Sequence, residues 1–330
     1  MYAWQFKTAS GGLENNLYLP AAGVPKPRIT EEQVLVEVYS AALNPADYKP
    51  EAWFRRHPYL GWTFVGKVIE TGRKASSYRV GEMVFGTYSG PLGRGSLGQY
   101  IAVSMDMLAT VPKGLETDHM AGVGVAGLTA YQSIHPNVKK GDKVFINGGS
   151  GGTGIFSIQI AKALGCYVTT TCSSANEELC KSLGADEIID YKSKDLVDTL
   201  KKKGQIFNLV VDNVGMPSNL YSSCHHFVVH HGKFVQVGAE VGIASAIQHA
   251  SILGGGRRKY QFIMLKSKHE QLVQLAKWIE EGRIKVVIDS VWEYDDAPRA
   301  FERLKTHRAK GKIVVHVKKG LFNQNDQSRT

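Results

Sequence analysis

Cysteine is scarce in this 330-residue chain. The four residues, Cys166, Cys172, Cys180 and Cys224, include no C-x-x-C pair. That spacing argues against a disulfide framework or a cysteine-built zinc site and points to reduced thiols. Long apolar runs are also missing, and none approaches the ~20 residues a membrane-spanning helix needs. The opening segment MYAWQFKTASGG lacks the charged-then-apolar pattern of a secretory leader, so a cytoplasmic protein is expected. Acidic residues are the minority, 30 against 40 lysines and arginines, for a net charge of +10. The basic residues are nevertheless scattered, with small clusters at Lys201-Lys202-Lys203 and Arg257-Arg258-Lys259, and no basic stripe interleaves with aromatics. A polyanionic cofactor accounts for the excess better than nucleic acid or a membrane surface.

What is present is ordinary for a globular protein: 43% hydrophobic and 21% charged residues. At ~150 residues per domain the length predicts two domains. Up to about residue 115 the chain reads as short strands and loops, with alternating stretches at 33–39, 64–69 and 80–85 separated by Gly-rich turns. From about 120 the rhythm changes. Strand-like segments at 143–147, 166–171, 187–190, 207–212 and 233–237 alternate with helical ones at 152–164, 175–183, 194–202 and 217–230. That alternation predicts a parallel sheet covered by helices. Leu272, Leu275, Ala276 and Ile279 mark one face of a further helix within 269–282, and the end returns to strands before a polar tail.

The stretch VFINGGSGGTG at 144–154 holds five glycines in seven positions between a strand and a helix. Gly149, Gly151 and Gly154 satisfy G-x-G-x-x-G in the full strand–loop–helix–strand context of a dinucleotide site. In that reading Gly149 permits the tight turn, Gly151 lets backbone N–H groups approach a pyrophosphate, and Gly154 allows close helix–strand packing. The helix N-terminus adds partial positive charge. An acid about 20 positions on would grip the ribose 2′-hydroxyl of NAD. No Asp or Glu occurs between Ile155 and Asn176; the second strand ends in TCSSAN, where Ser173, Ser174 and Asn176 offer donors and no repulsion. NADPH is therefore expected over NADH.

The segments AALNPADYK (41–49), GVAGLTAYQSI (124–134), INGGSGGTGIFSIQIAKALG (146–165), LGADEIIDY (183–191), VVDNVG (210–215), GKFVQVG (232–238) and RAKGKIVVHV (308–317) together resemble the medium-chain dehydrogenase/reductase superfamily. The resemblance covers nearly the whole chain and lies on the zinc-independent quinone-oxidoreductase side, towards fungal and plant enone reductases. It implies an α/β protein: a GroES-like β-rich substrate domain from residues 1–118 completed by 288–330, and a Rossmann doubly wound parallel sheet at 119–287, with a cleft between them. It also implies that Thr129 faces the nicotinamide and that Ser150, Gly152 and Thr153 lie with Gly151 at the pyrophosphate. Ser173, Asn176 and Tyr191 would surround the 2′-phosphate, and Asn213, Val237 and Gly238 the nicotinamide ribose. A monomer or homodimer is implied, and a small-molecule substrate with a conjugated carbonyl.

Zinc-dependent relatives carry G-H-E-x-x-G, where residues 61–66 here read GWTFVG, and Asn44 stands where a ligand cysteine is expected. Neither Trp62 nor Asn44 is a usual zinc ligand, so no catalytic metal is expected. The cluster CHHFVVHHG at 224–232 is better read as exposed imidazoles than as a metal site. Without a Lewis acid, an enone or quinone is the easier acceptor, because the developing enolate needs only a few hydrogen-bond donors. Asn44 is the first candidate donor; Tyr48 and Tyr59 are candidate proton donors or oxyanion contacts, each weighed evenly against simple packing. Asp47 is expected to organise the loop, Trp62 to wall the substrate site, and Phe262, in the loop 254–262, to contact substrate, the alternative for that loop being a partner chain. The segment 49–66 departs from the relatives' Pro-Gly-x-Asp pattern, which keeps two alternatives open: a non-redox dehydration or cyclisation catalyst, or a binding protein, each retaining NADP(H) as a structural ligand.

Overall fold

The computed structural model describes residues 1–8, 12–48, 60–88, 95–237 and 257–318. The chain divides into two units: Met1–Leu128 with Lys266–Glu281 and Val286–Thr330, and Thr129–Leu265 with Gly282–Lys285.

The first unit begins with strands β1 (Gln5–Phe6), β2 (Leu17–Tyr18), β3 (Gln33–Leu43), β4 (Thr63–Thr71), β5 (Met83–Thr87), β6 (Tyr100–Ser104) and β7 (Leu108–Thr110), then the short helix α1 (Thr117–Ala121). The expected stretches at 33–39 and 64–69 are the centres of longer strands, and the one at 80–85 is displaced onto β5. β3 runs antiparallel to β4, with Ala42 opposite Thr63, and also to β6. The unit boundary falls within α2 (Gly124–Ile134).

The second unit is built from β8 (Lys143–Asn147), α3 (Gly154–Ala163), β9 (Tyr167–Cys172), α4 (Glu177–Ser182), β10 (Glu187–Asp190), α5 (Leu196–Lys203), β11 (Phe207–Asp212), α6 (Leu220–Ser223), β12 (Val228–Gln236) and β13 (Lys259–Phe262). The six strands pair in parallel in the order β10-β9-β8-β11-β12-β13. Both faces of such a sheet are covered by helices, which explains the unbroken apolar runs Val144-Phe145-Ile146 and Leu209-Val210-Val211, all 0% exposed. The chain reverses direction across the sheet between β8 and β11. That is the topological switch point at which doubly wound sheets bind ligands, outside the strands' carboxyl ends.

The helix expected over 217–230 is corrected: α6 spans four residues, Cys224–His226 form a 3₁₀ turn, and β12 already starts at Val228. Leu220, Tyr221, Cys224 and Phe227 are all buried at a spacing that mimics a helix face. Val228 instead pairs with Phe207, and tertiary strand pairing overrides the local pattern.

The chain then returns to the first unit with α7 (His269–Glu280), β14 (Ile288–Trp292), α8 (Ala297–Lys305) and β15 (Lys312–His316). β15 lies between β14 and β3 and places Ile313 opposite Leu43. Phe64, Phe301 and Val315, all 0% exposed, pack in one core. Among the described residues no helix is long and apolar enough to cross a membrane.

Candidate functional site

The loop 148–153 follows β8 at the switch point, and its glycines divide the work differently from the sequence expectation. Gly148, with φ +84°, makes the turn; a Cβ at Gly149 would meet Thr170 Oγ1 at 2.3 Å, so Gly149 serves close packing on β9. A Cβ at Gly154 would sit 2.0 Å from Gly148 O, which lets α3 start against the loop itself. At Gly151 the nearest atom to such a Cβ is Gly148 O, 3.8 Å away, leaving space in front of the helix N-terminus.

Under this loop lies a buried polar network that motif reading did not single out. Asp212, 2% exposed at the end of β11, accepts from Val214 N (3.0 Å), Gly215 N (2.9 Å) and Asn147 Nδ2 (2.9 Å) with Oδ1, and from Gln236 Nε2 (3.0 Å) with Oδ2. Thr171 Oγ1 donates to Asn147 Oδ1 (2.7 Å) and accepts from Gly148 N (2.8 Å), so the loops after β8 and β11 are tied through β9. Burial raises the Asp212 carboxyl above its ordinary range, against the pull of these donors. Its sequence signal was a lone acid closing the apolar strand FNLVVD.

Next to Asp212, both polar atoms of the Asn213 amide are buried with no hydrogen-bond partner among the described residues. Orphaned buried groups carry a desolvation cost of ~1–3 kcal/mol, which a ligand with matching donor and acceptor removes. At the far side of the loop Asn176 Nδ2 donates to Ser150 Oγ (3.0 Å) while Asn176 Oδ1 is buried with no partner among the described residues. A dinucleotide fits these features: open space at Gly151, the Asn213 amide on one side, the Asn176 amide oxygen on the other, and no carboxylate at the end of β9.

The remaining cofactor candidates take these places. Gly152 and Thr153 are half-buried at the start of α3, and Ser173 is half-buried after β9. Tyr191 is 54% exposed after β10. Thr129 is buried in α2, and Val237 N donates to Asp212 O at 2.9 Å. Gly238 and Tyr59 lie outside the described residues. Phe262 ends β13, half-buried, opposite Gln236.

In the first unit, loop 43–48 leaves β3 and turns through a 3₁₀ segment, Pro45–Asp47. Asn44, 3% exposed, donates from Nδ2 to Ala42 O (3.1 Å) and Thr63 Oγ1 (3.0 Å) and accepts at Oδ1 from Lys312 Nζ (2.5 Å). Both amide hydrogens are therefore engaged inside the protein, and in this arrangement Asn44 anchors the loop. Asp47, 0% exposed, accepts from Asn44 N at 2.7 Å. Burial pushes its carboxyl up to about 7, opposed by the Asn44 N–H and the Lys312 ammonium. Tyr48 packs half-buried against the core, and Trp62 is half-buried with its carbonyl accepting from Tyr88 N at 2.7 Å. Lys312 was not singled out, because a lysine opening an apolar strand has no pattern of its own.

Among the described residues no group of three or more His, Cys, Asp or Glu side chains is arranged to hold a metal. In the 224–232 cluster Cys224 is buried, its thiol pushed up to about 12 by that burial, while His230 and His231 are exposed in β12.

Two family models match the chain: an alcohol dehydrogenase GroES-like domain over residues 30–113 and a zinc-binding dehydrogenase domain over 183–315. The trans-enoyl reductase pgmF of Aspergillus terreus is 40% identical over 348 residues, covering 96% of each chain. The solved quinone oxidoreductase of Coxiella burnetii superposes with a TM-score of 0.86 at 28% identity, covering 96% of this chain and 99% of that one. The Escherichia coli quinone oxidoreductase complexed with NADPH superposes with a TM-score of 0.79 over 96% of this chain and 100% of that one; at 21% identity it speaks for the fold alone.

Proposed function

The chain belongs to the medium-chain dehydrogenase/reductase superfamily, and on that premise we propose that it is an NADPH-dependent reductase of activated C=C bonds or quinones that works without a metal. The observation that carries the reading is the site at the switch point: a glycine loop with room at Gly151, and the orphaned amide of Asn213 on its other flank. When bound there, the reduced nicotinamide supplies two electrons and a hydrogen to the electron-poor carbon of a conjugated carbonyl.

The chain's own residues hold and orient. Ser150, Gly151, Gly152 and Thr153 receive the pyrophosphate on backbone and hydroxyl donors at the start of α3. Asn213, Thr129 and Val237 flank the nicotinamide end, Asn213 answering a ligand donor and acceptor with its free amide. Ser173, Asn176 and Tyr191 receive the adenosine end. The preference for NADPH rests on the missing acid at the end of β9 and on Asn176, whose amide is partly engaged by Ser150.

On the substrate side, the metal-free reading rests on side-chain identity. Where zinc relatives place ligands, this chain has Trp62 and an Asn44 whose amide is already saturated. The role of donor to the developing enolate passes to Tyr48, with Asn44 and Asp47 holding the loop and Trp62 walling the substrate side of this unit.

The test is to follow NADPH absorbance with a panel of enones and quinones and to weigh the products. Expected are NADPH consumption and a product heavier by two hydrogens. Product formation with no loss of NADPH overturns the reading in favour of non-redox catalysis, and a higher kcat/KM with NADH overturns the cofactor assignment.

A further inference from the structure

We propose that Lys312 is a positioning residue for this reaction: from β15 its ammonium grips Leu43 O and Asn44 Oδ1 and so fixes the loop that presents Tyr48. The inference rests on the reductase reading above for its catalytic consequence and on the geometry of the first unit for its cause.

Lys312 is 3% exposed, and a lysine is almost never that deeply buried unless its ammonium is paired. Here Nζ donates to Leu43 O at 2.8 Å and to Asn44 Oδ1 at 2.5 Å. Burial pushes the ammonium down to about 8, and the charge of Asp47 only partly opposes that shift. A buried charge with this many partners is costly to place and costlier to leave half-paired.

The polarity of the bonds locks the Asn44 amide. Lys312 only donates, so the amide oxygen must face it; Ala42 O only accepts, so the amide nitrogen must face that carbonyl. A flipped amide would set nitrogen against ammonium and oxygen against carbonyl. With the amide locked, Nδ2 has one hydrogen left and gives it to Thr63 Oγ1 on β4. One side chain thus ties β15, β3 and β4 together at the mouth of the loop. Asn44 N in turn holds Asp47 Oδ2 at 2.7 Å, and Tyr48 is the next residue. Lys312 acts through Asn44 and touches no reacting atom. A loss of positioning near 1 Å is enough to lower a rate by about two orders of magnitude.

The experiment compares K312M, which keeps the side-chain stem, with N44A and the double variant. The readouts are kcat and KM for an enone, NADPH affinity by fluorescence titration, and amide hydrogen exchange of the peptide spanning 41–48. Expected for K312M is a fall in kcat of about 10- to 100-fold with NADPH affinity held within about twofold, and faster exchange confined to 41–48. The double variant is expected to lose no more kcat than the worse single variant, because both changes break one unit. Unchanged kcat and exchange in K312M overturn the proposal, as do kcat losses that multiply in the double variant. Should K312M fail to fold, N44A opens the same bond from its other end, and its exchange over 41–48 decides. Should the wild type reduce no enone or quinone, the reductase reading falls on its own; wild-type exchange over 41–48 in K312M still overturns the clamp.

Discussion

Gly151 in the loop and Gly154 at the first position of α3 sit three residues apart and answer to different constraints. A Cβ at Gly154 meets Gly148 O at 2.0 Å, so G154A must shift the backbone. Overpacking of that kind costs ~1–3 kcal/mol, and G154A is expected to lower the thermal midpoint and NADPH binding together. G151A has 3.8 Å to its nearest neighbour, so its midpoint is expected to match wild type while NADPH affinity falls about tenfold or more, read by fluorescence titration. Asn213 separates the two properties in another way. Removing an amide with no partner relieves a buried polar group, so N213A without cofactor is expected to be at least as stable as wild type. Its NADPH affinity is expected to drop by ~1–2 kcal/mol, about 5- to 30-fold. Equal affinity in N213A would show that the amide faces no ligand. The motif letters give each glycine a role; the distances show what a Cβ would meet at Gly151 and at Gly154 and so separate binding from packing.

The helix α1 is held to the sheet of the first unit by one polar cluster. Asp118 accepts from Ser40 Oγ on β3 at 2.7 Å and pairs with His316 Nε2 on β15 at 2.9 Å; Glu293 lies 3.6 Å from the other ring nitrogen. Burial by itself lowers the His316 value, but the Asp118 hydrogen bond and the charges of Asp118 and Glu293 outweigh it and raise the net value. Burial likewise opposes Asp118, whose bonds to His316 and Ser40 leave it lowered overall. The stabilising contribution of a raised histidine is fully present below its unfolded value of ~6.5 and is lost as pH climbs through the folded value. That of a lowered aspartate is present above ~3.9 and is lost as pH falls through the folded value. The pair is therefore at full strength between about pH 4 and 6.5. The stability gap between wild type and H316Q is expected to be ~1–2 kcal/mol near pH 5.5 and to shrink as pH rises past ~6.5 through the raised folded value, measured by thermal melts across pH. A gap that grows with pH would contradict the assignment. Elements were unevenly legible: β8, the glycine loop and α3 follow from contiguous residues, as does the second half of β12, whereas the start of β12 was hidden behind a helix-like spacing of buried residues that only its pairing with β11 resolves.

Across the whole molecule, the first unit is assembled from both ends of the chain. β15 supplies Ile313, Val314 and Val315, all 0–1% exposed, between β3 and β14. Strand pairings this far apart in sequence form late and leave an open edge until they do. A chain ending at Gly311 lacks β15 and Lys312, and with them the neighbour of β3 on that side. It is expected to lose the cooperative unfolding transition of the first unit and to aggregate, measured by near-ultraviolet circular dichroism and sedimentation. A soluble truncated chain with wild-type near-ultraviolet signal would show that β15 is dispensable to that core. The parallel sheet of the second unit draws all six strands from 143–262 and is expected to keep its NADPH titration better than the first unit keeps its fold.

The amino-acid sequence determined what is local. It set the alternation of strands and helices, the strand–glycine loop–helix unit with its missing acid, and the absence of ligating side chains at Asn44 and Trp62. These follow from backbone preferences and side-chain chemistry within a few neighbouring residues. The tertiary structure alone decided which polar groups are satisfied: the saturated amide of Asn44, the buried ammonium of Lys312, the fully bonded Asp212 and the orphaned Asn213. Hydrogen-bond partners are chosen by strand register and loop approach between residues tens to hundreds of positions apart, and no local pattern records them.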